Sequence, residues 1–420
     1  MRLLKSSALV LTLKVIGALG GYAFALIAVR YFGTDGYGRF ELAFTIVTLL
    51  AVVAKWGYDG VLLKEIPARA ARGEDSMALV RSIRTWVWVA SMCLALLLYT
   101  FSEHVALFFD SPSMQMELEV GSFLLVFWAV MMLQAEIFRA QGKMLLYGMH
   151  QSSFILGIAA ITIFVSVPYF GLEPKFLQLT PISLFLLVPL VPIIIMDRWD
   201  SWRNWKIKPA GRKVVRKTAR AMFLSGILFM VMSWSDTLML GYFMSDSDVG
   251  VYRIAFRVAT LITFTQFAVN AGVAPDIAKL WAEGKRDVIQ ASIQRIFLLN
   301  FLIAVPAFLV LTLGGEFFMG LFGLELREYA DIMRWLCIGQ VVNALCGPVM
   351  YLLNMTGHED LAKQTMLIAV VFNLAANLYL IPNFGLAGAA WATSASMILW
   401  NVWALVLVYR RTGIQTVGWR

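Results

Sequence analysis

Long apolar segments follow one another from end to end of this chain. About twelve runs of roughly 18 to 25 residues, each able to cross about 30 Å of hydrocarbon as a helix, recur along its 420 residues. Of the residues, 60% are hydrophobic and 15% are charged, whereas a soluble domain carries about 25% charged residues. The short alternating segments of a membrane barrel are not found in the sequence. The pattern predicts an all-α integral membrane protein with about twelve transmembrane helices.

The first apolar run follows Arg2 and Lys5 and is soon followed by a second span. We therefore expect it to remain as a membrane helix rather than to be cleaved as a signal peptide. The three cysteines lie inside apolar runs and the three histidines are scattered, so neither a disulfide framework nor a metal site is predicted. The predicted spans have these approximate centres: Leu19, Leu49, Leu94, Phe127, Ala160, Leu186, Met230, Ile262, Ile303, Val341, Val371 and Met397.

Basic residues are unevenly shared between the two sides of the membrane. If the N-terminus is inside, only five basic residues fall in outside segments: Arg30, Arg39, Lys175, Arg327 and Arg334. The predicted outside loop around Glu103 and Asp110 has no Lys or Arg at all. This positive-inside bias places both termini in the cytoplasm. It also accounts for most of the net charge of +9 without a nucleic-acid partner.

The chain contains an internal repeat. "YFGTDGYGRFELAF" at residues 31–44 returns as "YFMSDSDVGVYRIAF" at residues 242–256, and "PYFGL" at 168–172 returns as "PNFGL" at 382–386. In this alignment Glu41 faces Arg253 and Thr45 faces Arg257. Because six spans separate the copies, both copies start on the same side, which predicts two parallel six-helix lobes. We expect lobes at 1–196 and 218–420, joined by a basic, Trp-rich cytoplasmic linker at 197–217.

Two long segments resemble a known family. They are "FLSGILFMVMSWSDTLMLGYFMSDSDVGVYRIAFRVATL" and "YLLNMTGHEDLAKQTMLIAVVFNLAANLYLIPNFGLAGAAWATSASMIL". Both are similar to the polysaccharide-transporter branch of the multidrug/oligosaccharidyl-lipid/polysaccharide exporter superfamily, which includes the flippases for O-antigen and capsule repeat units. The resemblance runs the whole length, from "GYGRFELAFTIVTLLAVVAKWGYDGVLLKEIPAR" to the last helix.

The resemblance implies a MATE-like exporter fold and a transporter rather than an enzyme, with no cofactor. It implies that the substrate is a lipid-pyrophosphate-linked oligosaccharide, moved from the inner to the outer leaflet by alternating access for surface polysaccharide biosynthesis. The implied location is the inner (plasma) membrane of a bacterial cell. Membrane lipids and polysaccharide polymerase machinery are the further partners that it implies.

Ionisable groups at membrane depth are the candidate site residues, because each is costly unless it is paired or faces water. Arg253 and Arg257 are four residues apart and share one face of the predicted eighth helix. One interpretation is that they face a cavity between the lobes and bind pyrophosphate or an acidic sugar. The other is that Arg253 extends to the outer interface while Arg257 only neutralises Asp236 of the preceding helix.

The first half offers its own charged candidates. Lys14 lies in the predicted first helix, and Lys55 lies four residues before Asp59 near the inside end of the second. These lysines could bind the substrate, or Lys14 could extend to the interface while Lys55 and Asp59 form a solvated pair. Glu41 could be a gate contact or an interfacial residue. Asp236, Asp59 and Glu41 are the predicted ion-coupling or gating groups.

Polar uncharged residues of the second half could either tie helices together or contact sugar hydroxyls. They are Gln266, Asn270, Gln340, Asn343, Asn373 and Asn377.

Two other functions remain open. A multidrug exporter of the same fold should carry acidic cavity residues that attract cationic drugs, whereas the first helix here has Lys14 and no Asp or Glu. A membrane glycosyltransferase or polymerase needs an extended extramembrane region, and the longest predicted loops are only about twenty to thirty residues. Both features favour the flippase.

Overall fold

The computed structural model describes residues 2–150, 156–161, 163–165, 212–263, 266, 277, 280–281 and 283–418, and no side chain before Ile16. All regular structure in these ranges is helical. The chain divides into two compact units, Met1–Met230 and Val231–Arg420. Residues 197–211 of the predicted linker lie outside the described ranges, so the predicted lobe boundaries stay a prediction.

The first unit is built from helices that pack around α5. Its helices are α1 (Arg2–Lys55), α2 (Tyr58–Ala71), α3 (Met77–Thr100), α4 (Ser102–Phe108), α5 (Gln115–Ala140), α6 (Met144–Met149) and α7 (Leu156–Val165). Helices α1, α2 and α3 all contact α5. Phe40 lies between Phe24 and Phe44, and Phe44 meets the edge of Trp128, with ring centroids 4.9 to 5.5 Å apart. These aromatic rings form the buried centre of the unit.

The second unit is organised around the last long helix. Its helices are α8 (Arg212–Phe243, which begins in the first unit), α9 (Asp246–Ala259), α10 (Arg286–Leu313), α11 (Gly315–Gly320), α12 (Ala330–Cys346), α13 (Val349–Met355) and α14 (Glu359–Thr412). Short 3₁₀ helices follow α9 at Thr260–Thr263 and precede α12 at Leu324–Tyr329. Helix α14 packs along α12 and α13, and α12 also contacts α9 and α10.

The fold class predicted from the apolar runs is confirmed. Six helices within the described ranges are long and apolar enough to cross a membrane. Every predicted span centre in those ranges lies in a helix, whereas Leu186 lies outside them. Large apolar side chains such as Leu313 and Leu324 are exposed on the surface. A hydrocarbon environment removes the cost that water would impose on such a surface.

Two glycines divide the longest helices where two spans were predicted. Helix α1 breaks at Gly33 (φ 72°, ψ 177°) and α14 breaks at Gly385 (φ 56°, ψ −134°). Both conformations are accessible to glycine and strained for other residues. In the repeat alignment Gly33 matches Met244, which is where α8 ends and α9 begins. Both copies of the repeat therefore interrupt the helix at the same point, and the parallel arrangement of whole lobes stays a prediction.

A second kind of break separates α1 from α2. Trp56 (φ 48°) and Gly57 (φ 74°) both have left-handed backbone conformations. The ring of Trp56 stacks on Phe223 of α8, with centroids 4.2 Å apart. A Cβ atom on Gly57 would lie 2.3 Å from the carbonyl oxygen of Ala219. The start of α8 thus packs directly against this break.

A third break lies between α12 and α13, which meet at a 40° bend at Gly347 and Pro348. The bend leaves backbone carbonyls without helical partners, because proline has no N–H to donate. The Gln266 side chain donates to the carbonyl oxygens of Asn343 (3.1 Å) and Gly347 (3.3 Å). Asn300 of α10 donates to the carbonyl of Ala344 at 3.0 Å. The Gly347 carbonyl also accepts the Val349 N–H at 3.0 Å. Side-chain amides therefore replace the lost backbone bonds at Asn343 and Ala344 and add to the one at Gly347.

Candidate functional site

The most deeply buried carboxylate of the second unit, among the residues that the structure describes, is Asp236 in the membrane-spanning part of α8. Asp236 is 4% exposed. The Tyr252 hydroxyl donates to it at 2.5 Å, the Thr393 hydroxyl at 3.3 Å and the backbone N–H of Thr237 at 2.8 Å. The hydroxyl oxygens of Tyr252 and Thr393 lie 2.9 Å apart, so the single Thr393 proton is shared between Asp236 and Tyr252 as alternative acceptors. Three helices, α8, α9 and α14, thus meet at this carboxylate.

The start of α9 fixes the register that brings Tyr252 to Asp236. Ser245 and Asp248 form a capping box, in which Ser245 Oγ accepts from the Asp248 N–H at 3.2 Å and Asp248 Oδ2 accepts from the Ser245 N–H at 3.1 Å. Two otherwise unpaired N–H groups are satisfied at once, which defines the first turn of the helix. Tyr252 lies one turn further on, and Arg253 follows it directly.

Arg253 is held by aromatic faces. Its guanidinium carbon lies 5.0 Å from the Trp234 ring of α8 and 5.8 Å from the Phe256 ring of α9. Such contacts stabilise a cation where water is scarce. Arg253 also directly follows Tyr252, which donates a hydrogen bond to Asp236. The structure therefore places two predicted site residues, Arg253 and Asp236, beside the same tyrosine.

Arg257 does not form the ion pair with Asp236 that was one of its two interpretations, and its predicted role in substrate binding stays a prediction. It is half-buried near the end of α9, where its carbonyl accepts a 2.6 Å hydrogen bond from Thr260. Within the described residues, the hydrogen-bond partners of Asp236 are Tyr252, Thr393 and the Thr237 N–H, and not Arg257. Residues 236 and 257 are therefore not joined by the ion pair that helix depth suggested. Depth along two helices does not determine which faces meet, and Tyr252 occupies the facing position.

A chain of neutral polar side chains continues from the Asp236 cluster. Ser235 donates to Asn373 Oδ1 at 2.7 Å, and Asn373 donates to Ser396 at 3.1 Å. Asn377 donates to the same oxygen of Asn373 at 3.1 Å. In the same unit Thr263 donates to Gln340 at 3.1 Å. Of the predicted amides, Gln266, Gln340, Asn343 and Asn373 make hydrogen bonds between helical segments, Asn377 bonds within its own helix, and Asn270 lies outside the described residues. Contact of these amides with sugar hydroxyls stays a prediction.

This cluster presents oxygen atoms in an apolar surrounding. The carboxylate of Asp236, the hydroxyl of Thr393 and the amide oxygen of Asn377 are buried, and Asn377 Oδ1 has no hydrogen-bond partner in the described structure. Oxygen ligands suit hard cations. Among the described residues no three His, Cys, Asp or Glu side chains converge. The arrangement suits a proton or a singly charged cation better than zinc.

The predicted Lys55–Asp59 contact forms in the first unit. Lys55 Nζ lies 2.7 Å from Asp59 Oδ2, and Lys55 is 5% exposed. The pair bridges the break at Trp56 and Gly57 instead of lying on one continuous helix. Glu136 of α5 is close enough to interact electrostatically with both residues. The alternative of a solvated surface pair is wrong for Lys55, because the break folds its side chain inward.

Glu41 is buried within the first unit. It is 1% exposed, and its carboxylate accepts a 2.5 Å hydrogen bond from Tyr37. Thr45 donates to the Glu41 carbonyl at 2.7 Å. Helix α1 is packed against α5. Burial by neighbouring helices does not determine depth in the membrane, so the role of Glu41 stays a prediction. Lys14 lies in α1, and its side chain falls outside the described part of the chain.

Several residues of the site were not found from the sequence. Tyr252, Thr393, Trp234 and Tyr37 carry the hydrogen bonds and ring contacts described above. The repeat alignment did hold one signal, since Phe40 of the first copy matches Tyr252 of the second. A hydroxyl present in only one copy suggests a polar partner in that copy alone. Thr393 and Trp234 had no comparable signal in the sequence.

Known structures share this fold. The lipid II flippase MurJ, in an inward closed conformation, aligns with a TM-score of 0.69 and 14% identity, covering 96% of this chain and 87% of MurJ. The MATE multidrug transporter DinF-BH aligns with a TM-score of 0.69 and 18% identity, covering 97% of this chain and 94% of that transporter. At such identities the likeness concerns the fold alone, which is that of a multi-pass helical membrane protein.

Sequence comparisons give the family. The probable flippase AglR of Haloferax volcanii is 31% identical over 193 residues, which make up 44% of this chain and 40% of AglR. The chain therefore spans about two fifths of the length of the curated relatives it matches. The MatE family model matches residues 221–379. The model described as "Polysaccharide biosynthesis protein" matches residues 3–281, about two thirds of the sequence, and the chain belongs to that family.

Proposed function

We propose that the chain is a flippase that moves a lipid-pyrophosphate-linked oligosaccharide from the inner to the outer leaflet of the plasma membrane by alternating access, and that it is not an enzyme. The name of the relative AglR, a probable flippase, supports the class of function. The observation that carries the proposal is the placement of Arg253 and Arg257 one turn apart on α9, half-buried in an apolar helical unit. A diphosphate matches the fork geometry of guanidinium groups.

In this proposal the charged residues divide into two roles. Arg253 and Arg257 bind the anionic head group, and Lys14 and Lys55 contribute positive charge from the first unit. Asp236, Asp59 and Glu41 act in ion coupling or gating. The cation–π contacts of Arg253 support its role, because aromatic rings stabilise a cation in an apolar unit.

The alternative of a multidrug exporter is less well supported. An exporter of cationic drugs needs a carboxylate that can attract its substrate. The two carboxylates buried deepest among the described residues, Glu41 and Asp236, each accept a 2.5 Å hydrogen bond from a tyrosine. Groups engaged in this way are poorly placed to receive a large cation.

The proposed location is the plasma membrane, with both termini in the cytoplasm and with surface polysaccharide or glycan assembly as the pathway. Polymerase machinery and membrane lipids are the proposed partners besides the substrate. AglR comes from an archaeon, so a bacterial source for this chain stays a prediction from the resemblance.

A reconstituted system tests the function directly. Vesicles containing the purified protein are loaded with a polyprenyl-diphosphate-linked N-acetylglucosamine, and the outer-leaflet fraction is measured with an impermeant lectin. We expect protein-dependent translocation that is lost in Arg253→Gln/Arg257→Gln and kept in Arg410→Gln, which removes an exposed arginine at the end of α14. Vesicles that accumulate a cationic dye under an ion gradient, but do not translocate the glycolipid, would identify an exporter instead.

A further inference from the structure

The segment that follows α14 lies against the start of α10. Gly413 has a left-handed backbone conformation (φ 74°) and ends α14. The side-chain amide of Gln290 in α10 then pairs with the backbone of Gln415: it donates to the carbonyl oxygen at 2.8 Å and accepts from the N–H at 2.8 Å. Two facing residues of neighbouring β-strands exchange the same pair of bonds. Residues 413–418 are named the strap below.

The strap completes an apolar layer at one end of the second unit. Ile414 is 2% exposed and belongs to one buried cluster with residues of α10, α12, α13 and α14, among them Ile289, Ile293, Leu353 and Val408. Ile289 and Ile293 lie in the first turns of α10, and Val408 lies in the last turns of α14. The charge bias predicts that this end of the unit faces the cytoplasm.

A polar layer follows the apolar layer along the same helices. Asn300 of α10 lies seven residues beyond Ile293, and Asn401 of α14 lies seven residues before Val408. Asn401 donates to Asn343 Oδ1 of α12 at 3.1 Å. At about 1.5 Å per residue, these amides lie about 10 Å further into the unit than the apolar layer. The apolar layer therefore separates them from the water at this end.

The closed strap is held by opposing contributions of similar size. The two hydrogen bonds of Gln290 and the burial of Ile414 favour closure, whereas the ordering of the strap backbone opposes it. Thr416 adds to the cost, because its hydroxyl is buried and has no hydrogen-bond partner among the described residues. A Cβ atom on Gly413 would meet nothing within 4 Å, so this glycine is a free joint. Closed and released strap positions are therefore both accessible.

We propose that the strap opens and closes the apolar layer, so that the polar layer of the second unit is reached from this end only when the strap is released. Release turns the strap about Gly413, breaks both hydrogen bonds of Gln290 and withdraws Ile414 from the layer. Water then enters between the start of α10 and the end of α14. That this release is a step of transport rests on the proposed flippase function.

Two native cysteines of α12 report the release. Cys346 belongs to the apolar layer, whereas Cys337 is buried nine residues earlier in the same helix and lies outside that layer. The full chain in detergent micelles is treated with N-ethylmaleimide, and peptide mass spectrometry follows each cysteine, with the exposed Cys93 marking complete reaction. We expect Gln290→Leu to label Cys346 roughly tenfold faster than the wild type, as the loss of two hydrogen bonds allows, and to leave Cys337 unchanged.

The matched control is Gln294→Leu, one turn further along α10. In the described structure the bonds to Gln415 come from Gln290 and not from Gln294, so this variant should label Cys346 at the wild-type rate. Ile414→Ser changes the strap itself and should act like Gln290→Leu. The proposal is overturned if both variants leave the rate at Cys346 unchanged. It is also overturned if Cys337 accelerates equally, because the unit has then loosened as a whole.

A reversible lock tests the role of the strap in transport. In Gln290→Cys/Gln415→Cys, a short methanethiosulfonate cross-linker joins the strap to α10, and a reductant removes it. We expect cross-linked vesicles to lose translocation of the polyprenyl-diphosphate-linked sugar and to regain it with reductant, whereas each single variant, treated in the same way, translocates normally. Full translocation by the locked protein contradicts the role in transport. A wild type that translocates no glycolipid but shows the expected labelling refutes the flippase function and leaves the strap intact.

Discussion

The backbone of Gly57 lies directly against the carbonyl oxygen of Ala219, so that a Cβ atom at residue 57 would stand 2.3 Å from that oxygen and 2.6 Å from the amide nitrogen of Phe223. The contact joins the α1–α2 break to the start of α8. Neither neighbour is a flexible side chain that could turn aside, so a substitution here must move a helix.

Gly57→Ala should therefore destabilise the protein by about 2–4 kcal/mol, from the displacement of α8 together with the left-handed backbone. Thermal unfolding in detergent checks this. The matched control is Gly73→Ala, which has nearly the same φ (71°) but nothing within 4 Å of the added carbon. We expect Gly73→Ala to lower the free energy of unfolding by about 1 kcal/mol. Equal losses at the two positions would mean that the contact with α8 does not matter.

Replacement of Lys55, the buried partner of Asp59, should also lower the free energy of unfolding. Lys55→Met leaves Asp59 without its cation at a break that packs inward, and we expect a loss of about 1–3 kcal/mol. The double change Lys55→Met/Asp59→Asn should recover most of it, because no unpaired charge remains. Lys64→Met, at an exposed position of α2, is the control and should be close to neutral. A double variant less stable than the single one would show that Lys55 acts through another partner.

The tyrosine at Asp236 can be tested without changing any charge. Tyr252→Phe removes the 2.5 Å hydrogen bond and leaves a buried acceptor with fewer donors, which costs about 1–3 kcal/mol. Tyr379→Phe, at a position 67% exposed on α14, should change the free energy of unfolding by less than about 0.5 kcal/mol. The two variants differ from the wild type by the same single oxygen, so comparison of their melting temperatures isolates the effect of burial.

The ring beneath Arg253 should affect substrate affinity more than stability. Trp234→Leu removes a cation–π contact with a centroid distance of 5.0 Å, and a contact of this type contributes about 0.5–2 kcal/mol. We expect weaker binding of polyprenyl diphosphate by about threefold to thirtyfold and substantial rescue by Trp234→Phe. Trp403→Leu, at an exposed position, is the control. Weakened binding by Trp234→Leu in an Arg253→Gln background would show that the ring contacts the ligand itself.

The orientation inferred from the loop charges is also testable. Single cysteines at Asp110 and Glu325, both exposed, should react in intact cells with a membrane-impermeant maleimide. A cysteine at Lys285 or Lys208 should react only after lysis. The background must lack Cys93, the native cysteine that is exposed among the three. Labelling at residue 285 in sealed cells would reverse the assignment of inside and outside.

The sequence predicted the positions of the helices, but it did not predict which side chains contact one another across helices, and the reasons are physical. Span centres follow from length and apolarity, which depend on each segment alone. The Lys55–Asp59 contact was also predictable, since the residues are close in the chain. The partner of Asp236 was not, because it depends on how α8, α9 and α14 turn their faces toward one another. Helix length alone allows either Arg257 or Tyr252 of α9 to contact Asp236. The rotation of α9 about its own axis decides between them, and the local sequence pattern does not reveal that rotation.

The bend between α12 and α13 has a mechanical consequence. The carbonyls of Gly347 and Ala344 beside the bend are bound by the side-chain amides of Gln266 and Asn300, which belong to other parts of the second unit. Straightening the bend would break those bonds where no water can replace them, and each loss would cost several kcal/mol. The angle is therefore locked by neighbours from outside the bent segment. In the proposed transport cycle, α10, α12 and α13 should therefore move together as one rigid group, and bending should occur at other segments.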